Sequence, residues 1–213
     1  MKTNDLAALL ASNAGPIDHS LPTRRYGVAL LVAAVGAVLL MLAFLGVRPD
    51  IMTMLGTPLF WIKLAFPLII AIGAFLIARR LARPGIRTGQ RWIIIVVPIV
   101  AVWIAALVTL GLAPVSDRLN MVLGISWRTC LFNILYLAVP GFVAIFWAMK
   151  GMAPTRPRLA GAAAGLLASA LATIVYSFHC PEMEVAFWAV WYVAGLLVPA
   201  GIGALLGPRL LRW

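Results

Sequence analysis

Six long apolar runs alternate along the chain with short connections that hold nearly all of its charge. The runs are Tyr26–Val47, Phe60–Ala78, Trp92–Leu112, Thr129–Met149, Leu159–Phe178 and Val185–Leu206. Each has about the 20 residues an α-helix needs to cross the ~30 Å hydrocarbon core of a bilayer. Proline punctuates the connections at Pro49, Pro58, Pro84, Pro114, Pro154, Pro157 and Pro181, where no helix has to continue. Pro67, Pro98, Pro140 and Pro199 fall inside runs and predict local kinks, which neighbouring helices can accommodate in a membrane. The pattern predicts an all-α protein: a polytopic bundle of six transmembrane helices over residues 26–213, preceded by a polar segment, residues 1–25.

Composition strengthens that reading. Only 11% of the residues are charged and 64% are hydrophobic, whereas a soluble domain carries roughly 25% charged residues. The charge also has a side. Thirteen of the seventeen basic residues flank alternate connections: Lys2, Arg24 and Arg25; Arg79, Arg80, Arg83, Arg87 and Arg91; Lys150, Arg156 and Arg158; Arg209 and Arg212. Arg48, Lys63, Arg118 and Arg128 lie on the other side, with Asp50, Asp117, Glu182 and Glu184. Excess Lys and Arg mark the cytoplasmic face, so both termini are expected there. The net charge of +11 therefore reads as an orientation signal and not as a nucleic-acid surface. Trp61, Trp92, Trp127, Trp147 and Trp188 lie near run ends, as interfacial anchors do. The N-terminus has no apolar stretch before Arg24–Arg25 and does not read as a cleaved signal peptide.

The middles of the runs lack Asp, Glu, Lys, Arg and His, the groups that transporters and pumps place at that depth despite their cost. No HExxH, GxSxG or paired carboxylates occur there, so an enzyme is not expected. A small transporter or permease component is the alternative reading. Gly161, Gly165, Ser169 and Thr173 recur four apart on one face of the fifth run, a stripe that admits another helix closely. Either the bundle uses it internally or it forms a homodimer seam.

Chemistry is concentrated in two places. Cys130 opens the fourth run and Cys180 lies in the fifth connection, within Phe178-His179-Cys180-Pro181-Glu182. The predicted topology puts both on the extracytoplasmic face at similar depth. Four readings stand: a constitutive disulfide, a switchable dithiol, a site for a soft divalent ion held by Cys130, His179, Cys180 and Glu182, or two unrelated buried thiols. Arg128 and protonated His179 are expected to favour the thiolate. With no CxxC pair, a thiol oxidoreductase lacks its relay. At the other end of the chain, Thr3 to Ala14 reads as a short helix. Thr3 or Asn4 caps it, Asp5 sits in its first turn and Gly15-Pro16 stops it. Leu6, Leu9 and Leu10 form one apolar face. A helix that short is marginal alone. It reads either as an amphipathic stub lying on lipid or, since it is nearly neutral and lacks aromatic residues, as a binding peptide for a soluble partner's groove.

Several of these segments resemble one family. They are Asp5-Leu6-Ala7-Ala8-Leu9-Leu10, Arg24-Arg25, Val47-Arg48-Pro49-Asp50, Cys130 and His179-Cys180-Pro181-Glu182. Phe187 with Trp191-Tyr192 and the terminal Gly207, Arg209-Leu210-Leu211-Arg212-Trp213 complete the set. In order and spacing, over essentially the whole chain, they are similar to the NrsF-type polytopic anti-sigma factors of proteobacteria. The resemblance implies a multi-pass protein of the bacterial inner membrane whose cytoplasmic N-terminus sequesters an extracytoplasmic-function (ECF) sigma factor. Asp5, Leu6, Leu9 and Leu10 would then be the partner-binding residues. It also implies that Cys130 and Cys180 respond from the periplasm to heavy-metal or oxidative stress. No cofactor is implied beyond a regulatory divalent ion at the thiols.

Overall fold

The computed structural model describes residues 3, 5, 12, 21–83, 89–152 and 154–212, and the described residues are helical with no strand. The six long helical segments match the six apolar runs. The first is α1 (Leu21–Leu40), which continues as a π-helical turn over Met41–Leu45. A short α2 (Ile51–Leu55) precedes α3 (Pro58–Leu81), and a 3₁₀ turn over Gly89–Trp92 leads into α4 (Ile93–Leu112). The next segments are α5 (Val115–Leu123), α6 (Trp127–Lys150) and α7 (Pro157–Tyr176). The last is α8 (Val185–Leu210), which carries a π-helical turn over Trp188–Tyr192. Pro58 and Pro157 stand at helix starts, where proline's missing N–H leaves nothing unpaired. All six long segments are long and apolar enough to cross a membrane.

Residue size decides which helix sits at the centre. Half of the α7 sequence is Ala, Gly or Ser, and α1, α3, α6 and α8 surround it. Nearly four-fifths of its most apolar window, 78%, is buried. Small residues let helix backbones approach when lipid removes the hydrophobic drive to associate. A Cβ on Gly161 or Gly165 would fall on the Gly203 or Pro199 carbonyl of α8. One turn on, Ser169 Oγ donates to the Leu196 carbonyl at 3.1 Å. The small-residue stripe is thus consumed inside the bundle: Ser169 and Thr173 are fully buried. It is not an outward seam for a second copy.

By contrast, α4 is rich in Ile, Val and Leu around its whole circumference and buries only Ile95 and Ala106. It packs on the outside, against α3 and the start of α8. Leu107, Phe132, Val143 and Leu205 are likewise exposed, giving the bundle an apolar exterior compatible with a bilayer. Trp188 departs from the expected anchor role. It is buried, and its indole N–H donates to the Glu182 carbonyl at 3.2 Å.

Candidate functional site

The connection after α7 closes one end of the bundle. Backbone N–H groups of His179 and Cys180 both donate to the Tyr176 carbonyl at 2.9 Å, which ends the helix in a tight turn before Pro181. That turn drives Cys180 inward. It meets Cys130, in the first turn of α6, and both are fully buried free thiols. Tyr176 borders Cys130.

The group that organises this pair is Lys63, near the start of α3. It is completely buried. Its ammonium donates to the Cys180 carbonyl at 2.8 Å and the Glu182 carbonyl at 2.7 Å, and it lies 5.7 Å from the centre of the Tyr192 ring. Arg48, following α1, adds a third donor: its Nη1 reaches the Cys180 carbonyl at 3.1 Å, while Nε and Nη2 pair with Asp50 at 2.6 and 2.7 Å. That pairing holds the Asp50 carboxyl below the usual carboxylate range. Cys180 feels the same field. The hydrogen bond from the Cys130 thiol, reinforced by Lys63 and the Glu182 backbone, outweighs the cost of burial and lowers the Cys180 thiol to about 5. An ordinary thiol ionises near 8.5, so the site favours the thiolate form of Cys180.

Lys63 was legible only as one of four basic residues on the poorer side. Arg128 and His179, the expected activators, do other things. Arg128 lies over the Trp127 ring, and His179 Nδ1 engages the Gly46 carbonyl at 2.9 Å. Glu182 is committed too. Its Oε1 accepts from the N–H groups of Ile125 and Ser126 at 2.7 and 2.9 Å and from Ser126 Oγ at 3.1 Å. A carboxylate there caps the N-terminus of α6, where the helix dipole favours negative charge. Gly124 makes the approach feasible. It has φ +57°, and any Cβ would collide with the Glu182 carboxylate. The four-donor metal set is therefore not gathered. Among the described residues no three His, Cys, Asp or Glu side chains converge to hold an ion. What the site retains is a two-thiol centre, able to form a disulfide or to bind a soft ion through sulfur.

Comparison with known proteins settles the family. Residues 10–213 match the model of NrsF, described as negative regulator of sigma F. The chain is 44% identical over 213 residues to the probable anti-sigma-F factor NrsF of Azospira oryzae, and 38% identical over 214 residues to the anti-sigma-F factor NrsF of Caulobacter vibrioides. Both matches cover all of each chain. The chain belongs to the NrsF family. No solved structure matches it. It is thus an anti-sigma factor, and the NrsF match takes in both cysteines, Lys63 and all six long helices.

The NrsF match starts at residue 10, so Asp5, Leu6 and Leu9 are covered by the two relatives and not by the family model. Thr3, Asp5 and Ser12 have helical backbone and are exposed. The tail residues Leu6, Leu9 and Leu10 lie outside the described residues. The far end of the bundle is built differently from the thiol end. Arg25 sits over the Trp147 ring at 5.7 Å and Arg79 over Phe75 at 5.5 Å, a basic rim where α1 begins and α3 ends.

Proposed function

We propose that this anti-sigma factor works from the bacterial inner membrane, with its arginine rim and both termini in the cytoplasm and its thiol end in the periplasm. The N-terminal segment, residues 1–25, holds an ECF sigma factor by inserting Leu6, Leu9 and Leu10 into an apolar groove, with Asp5 at the helix start. Occupying that groove keeps the sigma factor from polymerase. Cys130 and Cys180 receive heavy-metal or oxidative stress and end the sequestration.

One observation supports this most: two cysteines distant in sequence share a buried, cation-lined site, at the opposite end of α1 from the arginines next to the tail. The chemistry that fits is direct. A hydroperoxide removes two electrons from the pair, Sγ–Sγ forms, the thiol proton and one from solvent complete the reduced oxidant, and the charge beside Lys63 disappears. A soft cation on the two sulfurs changes the same charge. Either event unbalances a clamp in which Lys63 and Arg48 grip one carbonyl. α3 carries that change across roughly 24 Å, at 1.5 Å per residue, to Arg79. Release requires that the bundle have two arrangements with different affinity for the sigma factor.

The tail is tested separately from the thiols. Leu6→Asp/Leu10→Asp should free sigma-dependent transcription while the protein stays in the membrane fraction, and the first 25 residues should retain the sigma factor in a pull-down. Unchanged repression by that variant would remove the tail from the mechanism.

A further inference from the structure

At the arginine end, a cleft of about 270 Å³ opens where α1, the end of α3 and the connection after α6 meet. Arg25, Arg79 and Arg83 line it, and among the described residues no carboxylate does. Two of the guanidiniums are held in place by aromatic faces: Arg25 by Trp147 and Arg79 by Phe75. Gly151 lets Arg25 lie against the α6–α7 connection, because any Cβ there would land on the guanidinium. Tyr26 closes the base of the cleft, pinned edge-on to Phe75 at 5.7 Å between ring centres. Its enclosed hydroxyl has no hydrogen-bond partner among the described residues.

Three guanidiniums facing one cleft repel one another and draw an anion into it. Planar guanidiniums match phosphate oxygens in paired hydrogen bonds. The position selects the source of that phosphate. The cleft lies at the ends of apolar helices, at the level of lipid head groups, and basic pockets between membrane helices are a recurrent head-group site.

We infer that this cleft binds the phosphate head group of an anionic membrane lipid. The inference rests on the reading that the helices span the membrane. A lipid held there would brace α1 against α3, joining the helix that follows the tail to the helix that bears Lys63.

Native mass spectrometry of the full-length protein, extracted from the membrane fraction, tests this. Phosphatidylglycerol should stay bound and raise the thermal midpoint, while phosphatidylcholine and inorganic phosphate should not. Combined Arg25→Gln, Arg79→Gln and Arg83→Gln substitutions should weaken phosphatidylglycerol retention about a hundredfold. Arg128→Gln, at the other end, should leave it unchanged. Equal retention of the two lipids by the wild-type chain would overturn the inference whether or not the triple variant folds. Protection by inorganic phosphate alone would overturn the lipid assignment. A chain missing from the membrane fraction would instead overturn the membrane reading itself.

Discussion

A buried ammonium in an apolar helix bundle is costly unless its protons meet acceptors and a negative charge lies close. Lys63 meets both conditions through the Cys180 and Glu182 carbonyls and the Cys180 sulfur. Cys180 depends on the arrangement in turn. The folded thiol ionises at about 5 and the unfolded one near 8.5. Its contribution to stability is therefore complete above about 8.5 and is lost as the pH falls through about 5. The thermal midpoint of the reduced protein should rise across that window, and Cys180→Ser should flatten the slope. Alkylation followed against pH should report the low value directly. Cys130→Ala should raise it most, because that hydrogen bond is the largest cause, and Lys63→Met should raise it too. If Lys63→Met left the alkylation profile unchanged, the lysine would be only a loop clasp. Sequence could identify the two cysteines, since they are rare and share a face. It could not identify their counter-ion, because Lys63 sits near a helix end where lysines usually reach for the interface, and only the packed loop shows that it turns inward.

At the scale of elements, length and hydropathy sufficed to find the helices: Phe60–Ala78 was expected and Pro58–Leu81 formed, Thr129–Met149 was expected and Trp127–Lys150 formed. The misses have a common cause. Short α2 and α5 are too brief or too polar to register as spans, and the π-helical turns at Met41–Leu45 and Trp188–Tyr192 answer to packing and not to pattern. The glycine stripe of α7 was visible, but its partner was not, because small residues fit a second copy or the same chain equally well. Its contact with α8 makes a steric prediction. Gly165→Val would drive side-chain atoms into the Pro199 backbone, where neither helix can yield. Overpacking of this kind costs about 1–3 kcal/mol or more. A lowered thermal midpoint and reduced membrane levels are expected, whereas Gly27→Ala, with open space around it, should be neutral.

Across the whole molecule, the proposed function depends on two ends separated by the length of the long helices. One end holds the thiols, clasped by connections from α1, α5–α6 and α7 onto α3. The other holds the arginine rim where α1 begins and α3 ends. The asymmetry of basic residues was plain in the sequence, and so was the family likeness that the comparisons bear out. Helix neighbours were not, since residues such as Lys63 and Cys180 meet only through the order in which the helices pack around α7. The central claim is that an event at the buried thiols governs a tail on the far side of the bundle. A reporter driven by the cognate sigma factor tests it most directly, read before and after a hydroperoxide or soft-metal challenge in cells carrying wild-type protein, Cys130→Ser or Cys180→Ser. Wild type should repress and then release, and each serine variant should repress equally well and fail to release. Full induction in both variants would contradict the account.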